Sequence, residues 1–170
     1  MTILVFSDSH GRRDEMKRII KKHKDAETVI FCGDGANDIA EIRSEYPHKS
    51  YYAVKGNCDW SGNLPQLITC ELAGKKFLIT HGHVHGVKES LSRLYYLGRQ
   101  EKADVLCFGH THRQLTTIEG GMLIINPGSI GFSIQYTLLG IDEASGDITV
   151  TEYQRNHSSV CRLSSPVKGE

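Results

Sequence analysis

The sequence predicts an α/β fold, and three observations predict it. The first half alternates short β-branched apolar runs with stretches whose apolar residues recur at helical spacing. The second half is cut by Gly and Pro into short strand-like runs, as in hairpins. Several apolar runs stop at an Asp, Asn or His, which suits strands that share a direction and converge at their carboxyl ends.

Residues 2–7 (TILVFS) read as a buried strand. Residues 12–23 place Met16, Ile19, Ile20 and His23 on one helical face, with charges opposite. Residues 28–32 (TVIFC) form a second strand closed by Gly33, and 37–46 a helix stopped by Pro47. Residues 50–55 (SYYAVK) form a third strand closed by Gly56. This βαβαβ rhythm predicts parallel strands with right-handed crossovers. Residues 57–65 carry Gly62, Asn63 and Pro65 and read as a loop. Residues 66–72 and 75–80 flank Ala73-Gly74 as a hairpin. Residues 87–102 read as an amphipathic helix and 104–108 (DVLCF) as another buried strand. Four short strands follow, at 114–118, 122–125, 136–141 and 148–153. From Arg155 the chain turns polar and loses its period, which predicts a loose tail over 155–170.

The 170 residues suit a single domain, 1–170, with no repeat or linker. Lys plus Arg and Asp plus Glu stand at 20 each, so the formal charge is zero, which weighs against a polyanion binder. No apolar run approaches the roughly 20 residues a membrane helix needs. The first residues lack the basic start and long apolar core of a signal peptide. Five cysteines (32, 58, 70, 107 and 161) show no Cys-x-x-Cys pair, and three of them sit in apolar runs. Together these predict a cytoplasmic protein with core thiols.

The chemistry lies at five strand ends. They read Ser7-Asp8-Ser9-His10, Gly33-Asp34, Gly56-Asn57, His81-Gly82-His83 and Gly109-His110-Thr111-His112. Each piece alone has a plainer explanation, as a turn, a helix cap or a loop former. Their recurrence after apolar runs in one short chain points instead to a metal site.

In this order the motifs resemble those of the calcineurin-like metallophosphoesterases, from Asp8 to about Ser129. The small bacterial and archaeal phosphodiesterase branch is nearer still. Its Gly-Asn-Cys-Asp, Thr-His-Gly-His and Asn-Pro-Gly-Ser stand here as residues 56–59, 80–83 and 126–129. The resemblance implies a four-layer αββα sandwich of two facing mixed β-sheets flanked by helices. It implies two divalent metal ions, Mn first, with Ni, Co, Zn, Fe or Mg as alternatives. Asp8, His10 and His112 would hold one ion and Asn57, His81 and His110 the other, with Asp34 between them. Mixed imidazole, carboxylate and amide ligands suit such ions. It implies hydrolysis of a small phosphodiester by in-line attack of a metal-bridging hydroxide.

His83 could replace His81 as ligand or stand behind it beside the substrate; family position favours His81. His85, His23, His48 and His157 read as structural or surface residues. The wider family has a catalytic His where this chain has Cys58, next to Asp59, so Asn57, Cys58 and Asp59 form the candidate catalytic set. A thiol is a poor stand-in for an imidazolium acid, which predicts a preference for esters whose leaving group needs little protonation, such as aryl diesters. Ser129 is a candidate substrate contact, against the alternative that the 126–129 segment only makes a turn. Arg12 and Arg13 fit a solvated helix start better than a phosphate contact. The opposing function class is a non-catalytic protein-interaction scaffold on the same fold, like the small retromer subunit. The completeness of the seven ligand positions favours the enzyme. A nuclease lacks support, no membrane or nucleic-acid partner is expected, and homo-oligomerisation is left open. So short a chain predicts an open site.

Overall fold

The structure, a computed structural model, describes residues 1–60, 63–155 and 157–163. Strand β1 (Thr2–Phe6) leads through helix α1 (Arg13–Lys22) to β2 (Thr28–Phe31), and on through α2 (Ala36–Glu45) to β3 (Ser50–Ala53). The hairpin β4 (Leu67–Leu72) and β5 (Lys75–Thr80) follows, then a 3-10 turn at His83–His85 and helix α3 (Ser92–Gln100). Next come β6 (Val105–Cys107), β7 (Gln114–Glu119), β8 (Met122–Pro127) and the short helix α4 (Ile130–Ser133). The chain ends in β9 (Tyr136–Ile141), β10 (Ile148–Gln154) and β11 (His157–Leu163).

These strands make two mixed sheets, one of six strands in the order β11-β10-β9-β1-β2-β3 and one of five in the order β4-β5-β6-β8-β7. As the βαβαβ rhythm predicts, β1, β2 and β3 run parallel. In the second sheet β5, β6 and β8 are parallel. The antiparallel pairs are the hairpin-like elements on either side.

Three apolar clusters account for the layers. Ile3, Val5, Ile30, Phe77, Ile79 and Ile125 belong to the cluster between the sheets. Alternate residues of the same strands, Leu4, Phe6, Val29 and Phe31, pack instead with Met16, Ile19 and Ile20 of α1 and Ile39 and Ile42 of α2. Leu78, Leu106 and Ile124 point outward under Leu94 of α3. The period-2 pattern of a strand buried on both faces thus yields the four layers αββα.

Two expectations change. The helix read over 87–102 starts only at Ser92. Gly86 is left-handed (φ 64) and its carbonyl takes the N–H groups of Glu89 and Ser90, so the chain turns before it enters α3. The tail expected to be loose from Arg155 instead contributes β11, which pairs antiparallel with β10 from Ile148↔Leu163 to Gln154↔His157. Periodicity reports side-chain burial, whereas an edge strand is held through its backbone and can be polar. Residues 164–170 lie outside the described residues.

Candidate metal centre

The sheets bring their carboxyl ends to one edge. Asp8 and His10 follow β1, Asp34 follows β2, Asn57 follows β3, His81 follows β5, and His110 and His112 follow β6. Five of these residues hold a left-handed backbone: Asp8 (φ 53), His10 (φ 43), Asp34 (φ 60), His110 (φ 69) and His112 (φ 56). Such a conformation costs an L-residue roughly 1 kcal/mol or more, and it persists only where the surroundings enforce it. Here the Asp8 N–H donates to the Gly33 carbonyl (2.8 Å) and the His10 N–H to the Asp34 carbonyl (3.3 Å). Close approach explains two glycines: a Cβ at Gly56 would lie 2.0 Å from Asp34 Oδ1, and one at Gly109 2.0 Å from Ser7 Oγ.

The side chains form a continuous cluster. His112 Nε2 lies 3.0 Å and His10 Nε2 3.9 Å from Asp8 Oδ1. His81 Nε2 lies 3.5 Å from Asp34 Oδ2 and 3.1 Å from Asn57 Oδ1. The His81 and His110 rings meet edge-on with centroids 5.0 Å apart. Ligand atoms of Asp8, His10 and His112 fall within 4.8 Å of one another, as do those of Asp8, Asp34 and His81. Asp34 therefore sits between the two histidine groups.

This donor set fits cations. Asp8 Oδ1 is buried and accepts no hydrogen bond, although two imidazole nitrogens face it. His81 Nδ1 lies 2.7 Å from the Cys32 carbonyl, which can only accept, so Nδ1 carries the proton. In the neutral ring Nε2 then presents a lone pair toward Asn57 Oδ1 and Asp34 Oδ2, both acceptors. Acceptors aimed at acceptors in a buried cluster are what a positive ion resolves.

Titration follows the same geometry. Burial alone would raise Asp34, but His81 and the Cys58 N–H outweigh it and hold the carboxyl well below its usual range. Burial wins at Asp8, which is raised despite His81, Ser7 and His112. His81 is raised because Asp34 and Asp8 outweigh its burial. His110 is lowered to about 4 by burial, with the His81 and Lys88 charges adding to it. A cation bound here must displace the His81 proton, so its affinity falls as the pH falls.

Several expected roles shift. Asp59 belongs to the candidate catalytic set, yet its carboxylate is occupied by four backbone amides. Oδ1 accepts from Gly35 (2.9 Å) and Ala36 (2.8 Å). Oδ2 accepts from Asp34 (2.9 Å) and Gly56 (2.8 Å). It positions the Asp34 loop instead of facing a substrate. Ser129 is fully buried. Its hydroxyl donates to the Asp8 carbonyl (2.9 Å) and accepts from Phe132 N–H (3.1 Å), so its one proton is committed to the backbone. Asn126 Nδ2 donates to the Gly109 carbonyl (2.9 Å) and Thr111 Oγ1 (3.0 Å), fastening the loop that carries His110. The 126–129 segment is thus a buttress.

Cys58 is exposed, and its Sγ lies 3.3 Å from Asn57 Nδ2. Burial of the sulfur and the neighbouring Asp34 raise its pKa, so the thiol stays protonated. Cys32 and Cys107 are buried and Cys70 half-buried, all unpaired, whereas the Cys161 side chain lies outside the described residues. His83 stands half-buried beside His81 and His110, with ring centroids at 5.3 and 6.1 Å. Arg13 pairs with Glu41 on α2 and does not reach the cluster.

Sequence reasoning missed two contributors. Asp38, buried on α2, accepts from Ser9 Oγ (2.6 Å) and Gly11 N–H (2.8 Å) and so anchors the Asp8–His10 turn. A charged residue one position from the buried Ile39 was the available signal. Phe132 is 72% exposed, yet it stacks on His112 (4.8 Å, 26°) and meets His10 edge-on (5.4 Å). No sequence pattern marked it.

Among the described residues no helix is long and apolar enough to cross a membrane. The profile of the calcineurin-like phosphoesterase superfamily domain matches residues 1–143. The chain is 41% identical over 132 residues to the probable metallophosphoesterase YsnB of Bacillus subtilis, covering 76% of this chain and 75% of that protein. It is 31% identical over 146 residues to a phosphodiesterase of Methanocaldococcus jannaschii, covering 75% and 83%. Among solved structures, a predicted phosphoesterase of Streptococcus pneumoniae superposes with TM-score 0.77 at 28% identity, over 95% of this chain and 97% of that one. Vps29 of Entamoeba histolytica in complex with zinc superposes with TM-score 0.78 at 22% identity, over 98% and 100%, a likeness of fold. The four-layer sandwich, the edge of candidate metal ligands and these relatives agree that the chain belongs to the calcineurin-like phosphoesterase superfamily.

Proposed function

We propose that the protein is a two-metal phosphodiesterase acting on small diesters. The observation that carries this reading is the convergence of candidate ligand atoms at one strand edge, from Asp8 Oδ1, buried without a hydrogen bond, across Asp34 to His81 Nε2. Asp8, His10 and His112 would hold one ion, Asn57, His81 and His110 the other, and Asp34 would lie between them. Two such ions, when bound, would supply positive field to the phosphoryl oxygens and a water acidic enough to attack phosphorus in line.

The rest of the work belongs to the chain. The Cys58 N–H donates to Asp34 Oδ1 (2.8 Å) and keeps that carboxylate ionised. Ser7 Oγ and the His110 N–H (3.1 Å) hold Asp8 Oδ2 and leave Oδ1 toward the histidines. The Cys32 carbonyl fixes the His81 tautomer. Cys58 remains a neutral thiol, a weak acid that gives a departing alkoxide little help. The site therefore favours leaving groups that depart unprotonated, as aryl oxides do. The scaffold alternative rests on the fold likeness to Vps29, and the complete set of ligating side chains favours catalysis.

The test is hydrolysis of bis(p-nitrophenyl) phosphate and p-nitrophenyl phosphate by metal-stripped protein, with Mn, Ni, Co, Zn or Mg restored. Metal-dependent turnover that favours the diester is expected, with loss on Asp34→Ala. No turnover with any metal, or full turnover in that variant, overturns the reading.

A further inference from the structure

Beside the metal centre lies a cavity of about 530 Å³, of the size that takes a small organic molecule. Its walls come from the two loops that also carry candidate ligands, the segment after His81 and His83 and the segment around His110 and His112. Val87, Leu91, Phe108 and Leu115 give it an apolar lining. Its other features are two cations, Lys88 and Arg113, and no acidic residue lines it. Neither cation has a carboxylate partner among the described residues, whereas Arg13, Lys17 and Lys76 elsewhere on the surface do. The polar groups that remain are already engaged. Gln114 Nε2 donates to the Tyr136 and Tyr153 carbonyls (3.2 and 3.0 Å), and Thr111 Oγ1 accepts from Asn126 Nδ2 (3.0 Å). Thr111 of the lining lies between the candidate ligands His110 and His112 in the chain, so the cavity and the centre share that loop.

An apolar cavity with two unpaired cations complements one kind of ligand, an apolar or ring-shaped body that carries an anion. We propose that this cavity receives the second arm of the diester substrate, and that this arm bears its own anionic group, a carboxylate or further phosphate, met by Lys88 and Arg113. The inference rests on the phosphodiesterase reading above and deepens it. The substrate class becomes phosphodiesters charged on both the reacting phosphate and the non-leaving arm. Zero net charge of the whole chain is no obstacle, because the selecting charge is local.

Two probes isolate the arm: p-nitrophenyl benzyl phosphate and p-nitrophenyl 4-carboxybenzyl phosphate. Both release the same nitrophenolate from the same kind of phosphorus, so the ratio of their kcat/KM values reports the arm alone. The wild-type holoenzyme should prefer the carboxybenzyl probe by about tenfold or more, the scale of a charge-assisted contact. The preference should shrink as salt rises. In Lys88→Gln/Arg113→Gln the ratio should fall to about one, and Lys88→Glu should push it lower still. A change that the substitutions cause at the centre itself is common to both probes and divides out. Both side chains are exposed, so the fold should tolerate the substitutions. A wild-type ratio near one, a ratio indifferent to salt, or a preference that survives in the double variant overturns the proposal while the phosphodiesterase reading stands. Failure to hydrolyse either probe with any metal overturns both.

Discussion

The two buried carboxylates of the centre, Asp34 and Asp8, sit in corners built on different principles. Around Asp34 the protein supplies its own compensation: the Cys58 N–H on Oδ1 and the His81 ring near Oδ2. Its pKa is accordingly depressed. Around Asp8 compensation is half complete. Oδ2 is held by Ser7 and the His110 N–H, while Oδ1 is buried without a hydrogen bond and its pKa is raised. The loops differ in the same way. The Asp34 loop is tied to one carboxylate, Asp59, through three amides, with a fourth from Gly56, while the Asp8 turn is tied from two sides by Asp38 and Ser129. The comparison teaches that the Asp34 corner is assembled by the chain alone, and the Asp8 corner keeps one buried acceptor that a cation would satisfy.

The largest effect should come from removing the carboxylate that ties the most backbone amides of the assembled corner. Asp59→Asn replaces a four-bond acceptor with a group that has one acceptor oxygen and an NH2 aimed at amide donors. The Asp34 loop should loosen, lowering Mn affinity and kcat/KM for the diester by roughly 10–100-fold. Calorimetric Mn titration separates this positioning role from chemistry, since a proton donor's loss would leave metal affinity untouched. Wild-type Mn affinity in the variant would show that the corner does not depend on Asp59.

A smaller effect should follow at the residue that hands its N–H to Asp34. The Cys58 side chain is exposed, neutral and a poor acid. Cys58→His keeps the backbone N–H and adds a group that can donate a proton near neutral pH. Turnover of diesters with poor leaving groups should rise by about tenfold. The dependence of log kcat/KM on leaving-group pKa should also flatten. An unchanged slope would sink the leaving-group account of this position.

The parts legible in the sequence are those written in local chemistry. The apolar runs and their glycines announced β1, β2, β3 and β5, and the residue after each announced the edge. The seven candidate ligands come together because strand direction alone brings strand ends together. What was hidden depends on contacts between loops distant in the chain. Asp59 looked like chemistry because it follows Cys58, yet only the fold shows it reaching back to residues 34–36. Ser129 looked like a substrate contact because it ends a motif, yet it is spent on the Asp8 carbonyl. Strand β11 left no mark because edge pairing needs no apolar pattern. Phe132, stacked on His112, lies twenty residues along the chain from its partner.

The smallest expected effect is also the cleanest measure of the difference between the corners, because one substitution should act with opposite signs. Both carboxyls start from an ordinary value of 3.8. Asp34 is depressed, so its contribution to stability is present above 3.8 and is lost as pH falls toward its folded value. Asp8 is raised, so the fold of the metal-free protein loses stability as pH climbs from 3.8 through the raised value, where the buried group must ionise. At neutral pH and without metal, Asp8→Asn should therefore raise Tm by about 2–5 °C, and Asp34→Asn should lower it by a similar amount. The gain from Asp8→Asn should shrink as pH falls below the raised value and vanish below 3.8. Added Mn should reverse it, because the wild type then draws stability from a cation that the amide holds poorly. Parallel Tm shifts in the two metal-free variants would mean that Asp8 is compensated as fully as Asp34, and the distinction between the corners would fall.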